Sequence, residues 1–437
     1  MQARFLHLAD CHLGKWQYNH KERYNDFGRA FHHIIDVAIA EHVDFVILAG
    51  DLFEKRAIDA LTLNQAMRGL ERLHRVGIPC IAVEGNHERA YYGEQVGWLE
   101  FLAVRDLLIL LNAPFTEGVA QLSAYTSRRG SYIDPVPGLR VHGLRYLGAG
   151  TATAVEQYAT ALAALANDDI AYTIFVAHAG VEGVVPDQTG GLSHRQWAVL
   201  QPHVNYLALG HVHKPFSFDH WIYNPGSPET CNVTEALWHE RGYYLVSVDT
   251  ARDGDAEGVK HCATLHANPR RPFQRLTVKT DLLGSPAELH DHCREFLQRR
   301  ARDLGSGQIA ATQRPVVELQ LSGVLPFARS AVDLAALETL VRESFDPLVA
   351  LVKNYTRTAE MAVEGGELLS RTELERQVIT DLLERDVRYR AQSEAWASMT
   401  LSLKQLALSG SSPETVVTEL ANQLTEIEKV APPQETL

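Results

Sequence analysis

The chain has 437 residues, of which 46% are hydrophobic and 22% are charged, as in a globular protein of two or three domains. This composition excludes fibrous and disordered proteins. The formal net charge is −13, from 41 Lys and Arg against 54 Asp and Glu. Because proteins that bind nucleic acid unaided carry a basic face, a nucleic-acid substrate would here require metal ions, a local basic rim or a partner.

The N-terminal segment and the cysteines indicate the cellular compartment. The chain enters a strand-like pattern at once, and no apolar run approaches the roughly 18 residues of a membrane span. The five scattered cysteines fit neither a disulfide framework nor a Cys-x-x-Cys zinc site. We therefore expect a cytoplasmic protein with reduced cysteines, nucleoid-associated if it is bacterial.

The N-terminal part alternates short apolar runs with longer amphipathic segments: RFLHLAD, RYNDFGRAFHHIIDVAIAEH, DFVILAGD, IDALTLNQAMRGLERLHRVG and IPCIAVEGN. This rhythm predicts an α/β domain whose strands are buried on both faces. Further strands are predicted at YTIFVAHAG, VNYLALGHVH, WIYNPGS and RGYYLVSVD.

Two breaks in the pattern divide the chain. The polar, proline-containing stretch 266–273 separates a domain over 1–268 from a small β-α-β-α-β cap over 269–362. After Gly365 and Gly366, residues 363–437 are predicted to be helices only.

The predicted C-terminal helices carry apolar stripes. Ser370 and Glu373 form a predicted capping box, and the stripes comprise Leu374, Val378, Leu382 and Leu383, then Val416, Leu420, Leu424 and Ile427. These stripes suit packing on the protein's own core or docking on a partner helix. With 7 Lys and Arg against 12 Asp and Glu from residue 365 onward, the region does not resemble a DNA-binding tail.

Five predicted strands end in side chains that can bind metal. These are Asp10 with His12, Asp51, Asn86, His178, and His211 with His213. Ligands of open α/β sheets bind at the carboxyl edge, where these residues are expected. Each has a structural alternative, as a turn residue at a strand end or as a hydrogen-bonded core histidine. Five strand ends with the same chemistry favour metal binding.

The seven side chains can be divided between two metal sites that share the Asp51 carboxylate, which can bridge ions about 3.5–4 Å apart. Oxygen and imidazole donors favour Mn²⁺, Fe²⁺ or Zn²⁺ over Mg²⁺ or Ca²⁺. We expect no thiolate among the ligands, which argues against a structural zinc site.

The segments DCH, GDLF, GNHE, AHAG and GHVH resemble, in this order, the five signature blocks of the calcineurin-like metallophosphoesterase family. The resemblance implies a two-sheet α/β sandwich that hydrolyses phosphate esters with two metal ions. It implies that one metal is held by Asp10, His12, Asp51 and His213, and the other by Asp51, Asn86, His178 and His211. His87 would not be a ligand; it would stabilise the transition state or protonate the leaving oxygen.

The longer segments HLADCHLGK, GDLFEKR, GHVHKP and YNPGSPE, followed by the cap, resemble SbcD and the meiotic recombination eleven nucleases of double-strand-break repair. This resemblance implies a nuclease with two Mn²⁺ per chain, an exonuclease on duplex ends and an endonuclease on single strands or hairpins. It also implies that the C-terminal helices dock on an SMC-like ATPase of the SbcC type.

The resemblance further implies a homodimer, and with the ATPase a heterotetramer. The apolar segment 98–111, predicted as a helix, suits either the dimer bundle or an interior helix. Where some relatives have a histidine after GDLF, this chain has Glu54. A second imidazole beside the scissile phosphate is therefore not expected.

The loop after the first strand is a candidate DNA contact. Lys15, Lys21 and Arg23 can bind phosphates, and Trp16 and Tyr18 can stack on a frayed base. The alternative is a solvated loop with buried aromatic rings.

Two other functions stay open. The first is a phosphodiesterase or phosphatase for small nucleotides or phosphoproteins, although protein phosphatases carry Asp-Arg-Gly shortly after the GD block and this chain reads GDLFEKRAID. The second is a DNA-end scaffold with a spent active site, which would lose no function when His87 is replaced.

Overall fold

The computed structural model describes residues 1–88, 96–165, 169–185, 191–251, 259–303, 314–358, 371–384, 389–408 and 412–430. The chain divides into two compact units. The first comprises Met1–Lys279, Pro286–Ser322 and Asp333–Tyr355, and the second comprises Thr280–Ser285, Gly323–Val332 and Thr356–Leu437. The first unit thus joins the predicted N-terminal domain to most of the predicted cap, and the boundaries at 268 and 362 stay predictions.

The described elements follow in chain order. The strands are β1 (Gln2–Leu8), β2 (Phe45–Leu48), β3 (Cys80–Ala82), β4 (Ile109–Leu110), β5 (Phe115–Thr116), β6 (Val119–Ala120), β7 (Tyr132–Val136), β8 (Leu139–Leu144), β9 (Tyr172–Ala177), β10 (Gly180–Val181), β11 (Gly191–Leu192), β12 (Tyr206–Leu209), β13 (Phe216–Phe218), β14 (Ile222–Asn224), β15 (Gly242–Asp249), β16 (His261–Ala267), β17 (Phe273–Lys279), β18 (Val316–Ser322), β19 (Val324–Leu325), β20 (Val349–Asn354) and β21 (Arg357–Thr358). The α-helices are α1 (Lys21–Ala40), α2 (Ala60–Arg75), α3 (Trp98–Val104), α4 (Thr151–Ala164), α5 (His194–Trp197), α6 (Pro286–Asp303), α7 (Leu334–Phe345), α8 (Arg371–Glu384), α9 (Ser393–Leu408) and α10 (Pro413–Val430).

Two six-stranded sheets form the core of the first unit. One has the order β16-β15-β1-β2-β3-β4 and the other β13-β14-β12-β9-β8-β7. Strands β1, β2 and β3 are parallel to one another, as are β8, β9, β12 and β14. All nine strands and helices predicted for this domain from the quoted segments are confirmed, whereas the hairpin β7–β8 and helix α4 were not predicted.

The two sheets pack face to face through large apolar side chains. Phe5 of β1 stacks on Phe45 of β2 at 5.1 Å between ring centroids and meets Tyr206 of β12 edge-on at 5.2 Å. Successive residues of a strand point to opposite faces, so Leu6 and Leu8 turn away from this interface and pack against α1 and α2. The two-sheet α/β sandwich expected from the resemblance is confirmed.

Local sequence explains the two helices that cover the first sheet. The side chains of His20 and Asp59 accept hydrogen bonds from Glu22 N and Thr62 N and cap α1 and α2. The buried face of α1 repeats every three or four residues, at Phe27, Phe31, Ile34, Ile35 and Ala38.

Only the first half of segment 98–111 is helical. Helix α3 ends at Val104, and Ile109–Leu110 pair with β3 as the edge strand β4. Leu99, Leu102 and Leu108 lie in the core. The long helix expected here is therefore wrong, and the homodimer stays a prediction without it.

The predicted β-α-β-α-β pattern of the cap is confirmed as an arrangement of elements. Strands β17, β18 and β20 form a parallel sheet with β18 in the centre, and α6 and α7 connect them. The central strand is buried on both faces: Val316, Val317, Leu319 and Leu321 are buried, and so are the polar Glu318 and Gln320 between them.

Helices α8, α9 and α10 belong to the second unit, where α9 contacts both of the others. Val378, Leu382 and Val417 expose 56%, 60% and 63% of their surface. Gly365, Gly366 and Ser370 and the side chains of Leu374 and Ile427 lie outside the described residues. Among the described helices, none has the length and apolar character needed to cross a membrane.

A buried ion-pair network links α1 to the start of the cap sheet. Asp26 Oδ2 accepts from Arg23 Nη1 at 2.5 Å and from Arg271 Nε at 2.6 Å, and the side chains of both arginines are fully buried. Burial would raise the pKa of Asp26, but the arginines hold it below its usual range. The carboxylate thus stabilises two cations that have no access to water.

Replacing Asp26 by Ala is expected to lower the free energy of unfolding by about 3–5 kcal/mol, because Arg23 and Arg271 would remain buried without their shared anion. Urea denaturation measures the change. The matched control is Asp36→Ala, which breaks an exposed pair with Arg72 and should cost at most about 1 kcal/mol. Equal effects of the two substitutions would contradict the role assigned to Asp26.

Candidate metal centre

The seven predicted ligands come together where the carboxyl ends of the two sheets meet. Asp10, His12, Asp51 and Asn86 follow β1, β2 and β3 of the first sheet, and His178, His211 and His213 follow β9 and β12 of the second. Contacts between the two groups join the sheets: His211 N donates to both carboxylate oxygens of Asp10 at 3.0 Å. The convergence inferred from strand ends is therefore observed.

One half of the centre contains Asn86, His178 and His211. Asn86 Oδ1 lies 3.0 Å from His178 Nε2 and 3.0 Å from His211 Nδ1. His178 Nδ1 donates to the Ala49 carbonyl oxygen at 2.8 Å, so Nε2 of the neutral ring carries no hydrogen. The Nε2 lone pair faces the Asn86 oxygen and Asp51 Oδ2, which is 3.2 Å away. Acceptors that face one another in this way fit a cation.

The other half contains Asp10, His12, Asp51 and His213. One ligand atom from each of Asp10, His12 and Asp51 lies within 4.8 Å of the others, and all three residues are buried. His12 Nε2 and His213 Nε2 are 2.9 Å apart. This separation suits two nitrogen donors on one ion at about 2.0–2.1 Å each.

Four of the seven residues have left-handed backbone conformations. The φ angles are 55° at Asp10, 48° at His12, 53° at Asp51 and 78° at His211. Such conformations are unfavourable for residues with a Cβ and concentrate at functional sites, where the surrounding structure maintains them. The centre is thus built with backbone strain at most of its ligand positions.

Gly210 allows the strand end that carries His211 and His213 to approach the first sheet. A Cβ at this position would clash with the Ala49 carbonyl oxygen. This close approach brings His211 to Asp10 and His178.

Burial and neighbouring charges set the protonation of the centre. Burial opposes charging of His178, but the Asp51 carboxylate outweighs it and raises the pKa of the ring to about 9, so Nε2 takes up a proton that a bound metal would displace. Burial would raise the pKa of Asp51, yet His178 holds it far below its usual range. Burial, with His178 nearby, lowers the pKa of His211 to about 4. The buried oxygens thus attract positive charge, which is the electrostatic requirement of a metal site.

His87 lies at the rim of this centre, where 36% of its side chain is exposed. Its Nδ1 donates to the Glu54 carbonyl oxygen, and its backbone N donates to Asp51 Oδ1 at 3.1 Å. The ring meets that of His12 edge-on at 5.0 Å between centroids. Nε2 is therefore available to a bound molecule, as its predicted role requires.

Three residues beside the ligand histidines were not predicted as their neighbours: Glu235 and Tyr146 lie outside the signature blocks, and Glu54 was noted only as the residue after GDLF. Glu235 Oε1 accepts from His213 Nδ1 at 2.7 Å, and Glu54 Oε2 lies 2.9 Å from His12 Nδ1, within ion-pair distance but without hydrogen-bond alignment. The Tyr146 ring lies 5.6 Å from that of His211. Cys231 Sγ forms a compact group with nitrogens of His12 and His213, so a thiol lies beside the ligands; that no thiolate is among them stays a prediction.

Glu88 stabilises the loop that carries Asn86 and His87. Its buried carboxylate accepts from Phe53 N at 2.9 Å and from Gly85 N at 3.1 Å. Burial, together with the nearby Asp51 charge, raises the pKa of Glu88 to about 8.

The residues of the predicted DNA-contact loop differ in their burial and in their contacts. Arg23 is fully buried in the Asp26 network, so the structure contradicts a contact between its guanidinium and DNA. Lys15 Nζ donates to Glu54 Oε1 at 2.5 Å, and Lys21 is exposed. Trp16 is 45% exposed and packs against Tyr24 at 5.0 Å. DNA contacts by Lys15 and Lys21, and stacking by Trp16 and Tyr18, stay predictions.

Comparison with known proteins finds relatives that carry the same description. The chain is 29% identical over 254 residues to the DNA double-strand break repair protein Mre11 of Saccharolobus solfataricus, covering 56% of this chain and 60% of that protein. It is 31% identical over 250 residues to Mre11 of Archaeoglobus fulgidus, covering 53% and 52%. It is 27% identical over 383 residues to Mre11 of Methanopyrus kandleri, covering 78% of each chain.

The chain thus matches less than two thirds of the length of the first two relatives. The family model described as calcineurin-like phosphoesterase matches residues 3–215, which include strands of both sheets and all seven converging side chains. Together with the two-sheet sandwich, this match establishes that residues 3–215 form a calcineurin-like phosphoesterase domain.

Proposed function

We propose that the chain is a two-metal DNA nuclease of double-strand-break repair. One Mn²⁺ would be held by Asp10, His12, Asp51 and His213, and the other by Asp51, Asn86, His178 and His211. The observation that carries the proposal is the convergence of these donors from two sheets, with ring nitrogens and oxygens facing one another at 2.9–3.2 Å. Fe²⁺ or Zn²⁺ also suits these donors, and Mg²⁺ suits them less well.

The relatives support DNA as the substrate. Each of the three compared relatives is named a DNA double-strand break repair protein, and the similarity to the Methanopyrus kandleri protein extends over 78% of this chain. We therefore favour a nuclease, acting as an exonuclease on duplex ends and an endonuclease on single strands, over a phosphatase of small nucleotides or phosphoproteins.

The residues of the centre would have different roles in phosphodiester hydrolysis. A bound divalent pair supplies a reactive water and neutralises the charge that develops on the phosphate. The hydrogen bond from His178 Nδ1 to Ala49 orients Nε2 toward its ion, and Glu235 does the same for His213. His87, held through Nδ1 by the Glu54 carbonyl, would present Nε2 to the leaving oxygen and give it a proton.

A partner would complete the nuclease. The net charge of −13 and the burial of Arg23 leave little positive charge to attract DNA. An SMC-like ATPase of the SbcC type, bound to the C-terminal helices, would supply DNA binding, and two copies of each chain would form a heterotetramer. We place this assembly in the cytoplasm.

His211→Ala and His213→Ala are each expected to reduce bound Mn²⁺ from two ions per chain to about one, because the two rings would serve different ions. Elemental analysis after gel filtration measures the stoichiometry, and circular dichroism verifies folding. If either variant keeps two ions, the division of ligands between the sites is wrong.

His87→Ala is expected to lower Mn²⁺-dependent cleavage of an end-labelled duplex by about 10²–10⁴-fold while bound metal stays unchanged, because a proton donor is lost and no ligand is. His292→Ala, which removes an exposed histidine from α6, is the matched control and should keep full activity. Full activity of His87→Ala would favour a spent active site or a different acid.

The same enzyme should be assayed on bis(4-nitrophenyl) phosphate. Turnover of this small diester without DNA cleavage would mean that the ATPase is required or that the substrate is small. Addition of the ATPase then separates these two outcomes.

Combining Val378→Asp with Leu382→Asp is expected to abolish co-purification with the SbcC-type ATPase, because both apolar side chains are exposed on α8 and a charge there would oppose burial. Turnover of the small diester should not change. Undiminished co-purification would place the ATPase contact elsewhere.

A further inference from the structure

The thiol of Cys231 lies among the donors of one half of the metal centre. Its Sγ and one ring nitrogen each of His12 and His213 all lie within 4.8 Å of one another. The seven ligands assigned to the centre include no sulfur, so this thiol has no part in the function proposed above.

The backbone of Cys231 is fixed by the same carboxylate that orients His213. Glu235 Oε2 accepts from Cys231 N at 2.8 Å, while Glu235 Oε1 accepts from His213 Nδ1 at 2.7 Å. On the other side, the Cys231 carbonyl oxygen accepts from Gln17 Nε2 at 2.9 Å. The thiol is therefore held in a constant position relative to the His213 ring.

The thiol makes two kinds of hydrogen bond, one to the His213 ring and a weak one to a backbone carbonyl oxygen. Cys231 Sγ is 3.7 Å from the Glu229 carbonyl oxygen, and the residue is partly exposed. Meanwhile His12 Nε2 and His213 Nε2 face each other at 2.9 Å. These contacts join the three donor groups to one another, and an ion bound among them would replace the hydrogen bonds between them.

The chemistry of this donor set differs from that of the other half of the centre. Two imidazoles and a thiolate are ligands that Zn²⁺, Fe²⁺ and Co²⁺ accept, whereas Mn²⁺ prefers oxygen donors. The group of Asn86, His178 and His211 offers an amide oxygen and two nitrogens that converge within 3.0 Å. The two halves are therefore chemically unequal.

We propose that Cys231 is a ligand of the ion that His12 and His213 hold, so that this half of the centre, which can still hold Mn²⁺, prefers a borderline ion such as Zn²⁺ more strongly than the Asn86 half does. On binding, the thiol loses its proton to solvent and the sulfur gives an electron pair to the ion, with no change of oxidation state. The proposal rests on the two-metal centre described under the proposed function and adds an eighth ligand to it.

Cobalt substitution tests the proposal without any measurement of nuclease activity. Metal-free full-length protein titrated with Co²⁺ should show the near-ultraviolet charge-transfer band that only a sulfur–cobalt bond produces. The band should disappear in Cys231→Ser and in His12→Ala. It should remain in Cys262→Ser, the matched control, because that cysteine is exposed and lies outside the group.

Competition between metals gives a second measurement. Cys231→Ser should weaken the tighter Zn²⁺ site by at least about tenfold, because the soft donor is lost, and leave Mn²⁺ binding by the other half unchanged. Absence of the cobalt band in the wild-type protein, or its persistence in Cys231→Ser, would overturn the proposal.

These outcomes are distinguishable from failure of the proposed function. A cobalt–sulfur band in a protein that does not cleave DNA even after addition of the ATPase would leave the ligand assignment intact and refute the nuclease. DNA cleavage by a protein without the band would do the reverse.

Discussion

The structure depends on a polar seam that joins the carboxyl ends of two separate sheets. His7 of β1 is fully buried, and its ring contacts the Leu209 carbonyl oxygen at 3.0 Å and the Tyr206 hydroxyl at 3.1 Å, both on β12. Burial lowers the pKa of His7 to about 3, so the ring is neutral and donates one hydrogen bond while accepting another. Two residues beyond Leu209, the chain reaches the metal centre at His211. A packing contact between sheets alone would allow them to slide, whereas this imidazole fixes their register where the ligands meet.

Three arginines of the first unit lie in its interior. Arg23, Arg241 and Arg271 are buried and paired with carboxylates, and they therefore contribute little to the electrostatic field outside the protein. Under the proposed function, bound metal would add positive charge at the centre, and long-range attraction of nucleic acid would depend on a partner.

The sequence predicts those features that depend on local periodicity or on topology. Strand ends such as Asp10, Asp51 and His178 could be grouped because parallel strands deliver their carboxyl ends to one edge. The residues that form hydrogen bonds with the ligands could not be found in this way. Glu235 follows His213 by 22 residues within a polar loop, and its contact with the ring depends on the tertiary fold.

The two wrong predictions, for Arg23 and for segment 98–111, also have physical causes. Arg23 resembles a surface cation in sequence, and only the position of Asp26 and Arg271 shows that it is buried. The segment 98–111 is apolar enough for a helix, but its second half completes the edge of a sheet. In both cases tertiary contacts outweigh the local pattern.

Glu235 has one further consequence, which concerns the interpretation of genetic data. Its carboxylate contacts the His213 ring, the Cys231 backbone and Arg241, whose Nη1 donates to Oε2 at 2.7 Å. Arg241 is thus two contacts away from the metal centre and fully enclosed by protein. An inactivating allele at Arg241 would look like the loss of a catalytic residue in any screen for function, although the side chain never meets a substrate. The boundary between residues that perform the chemistry and residues that preserve its geometry therefore lies inside the protein, at Glu235.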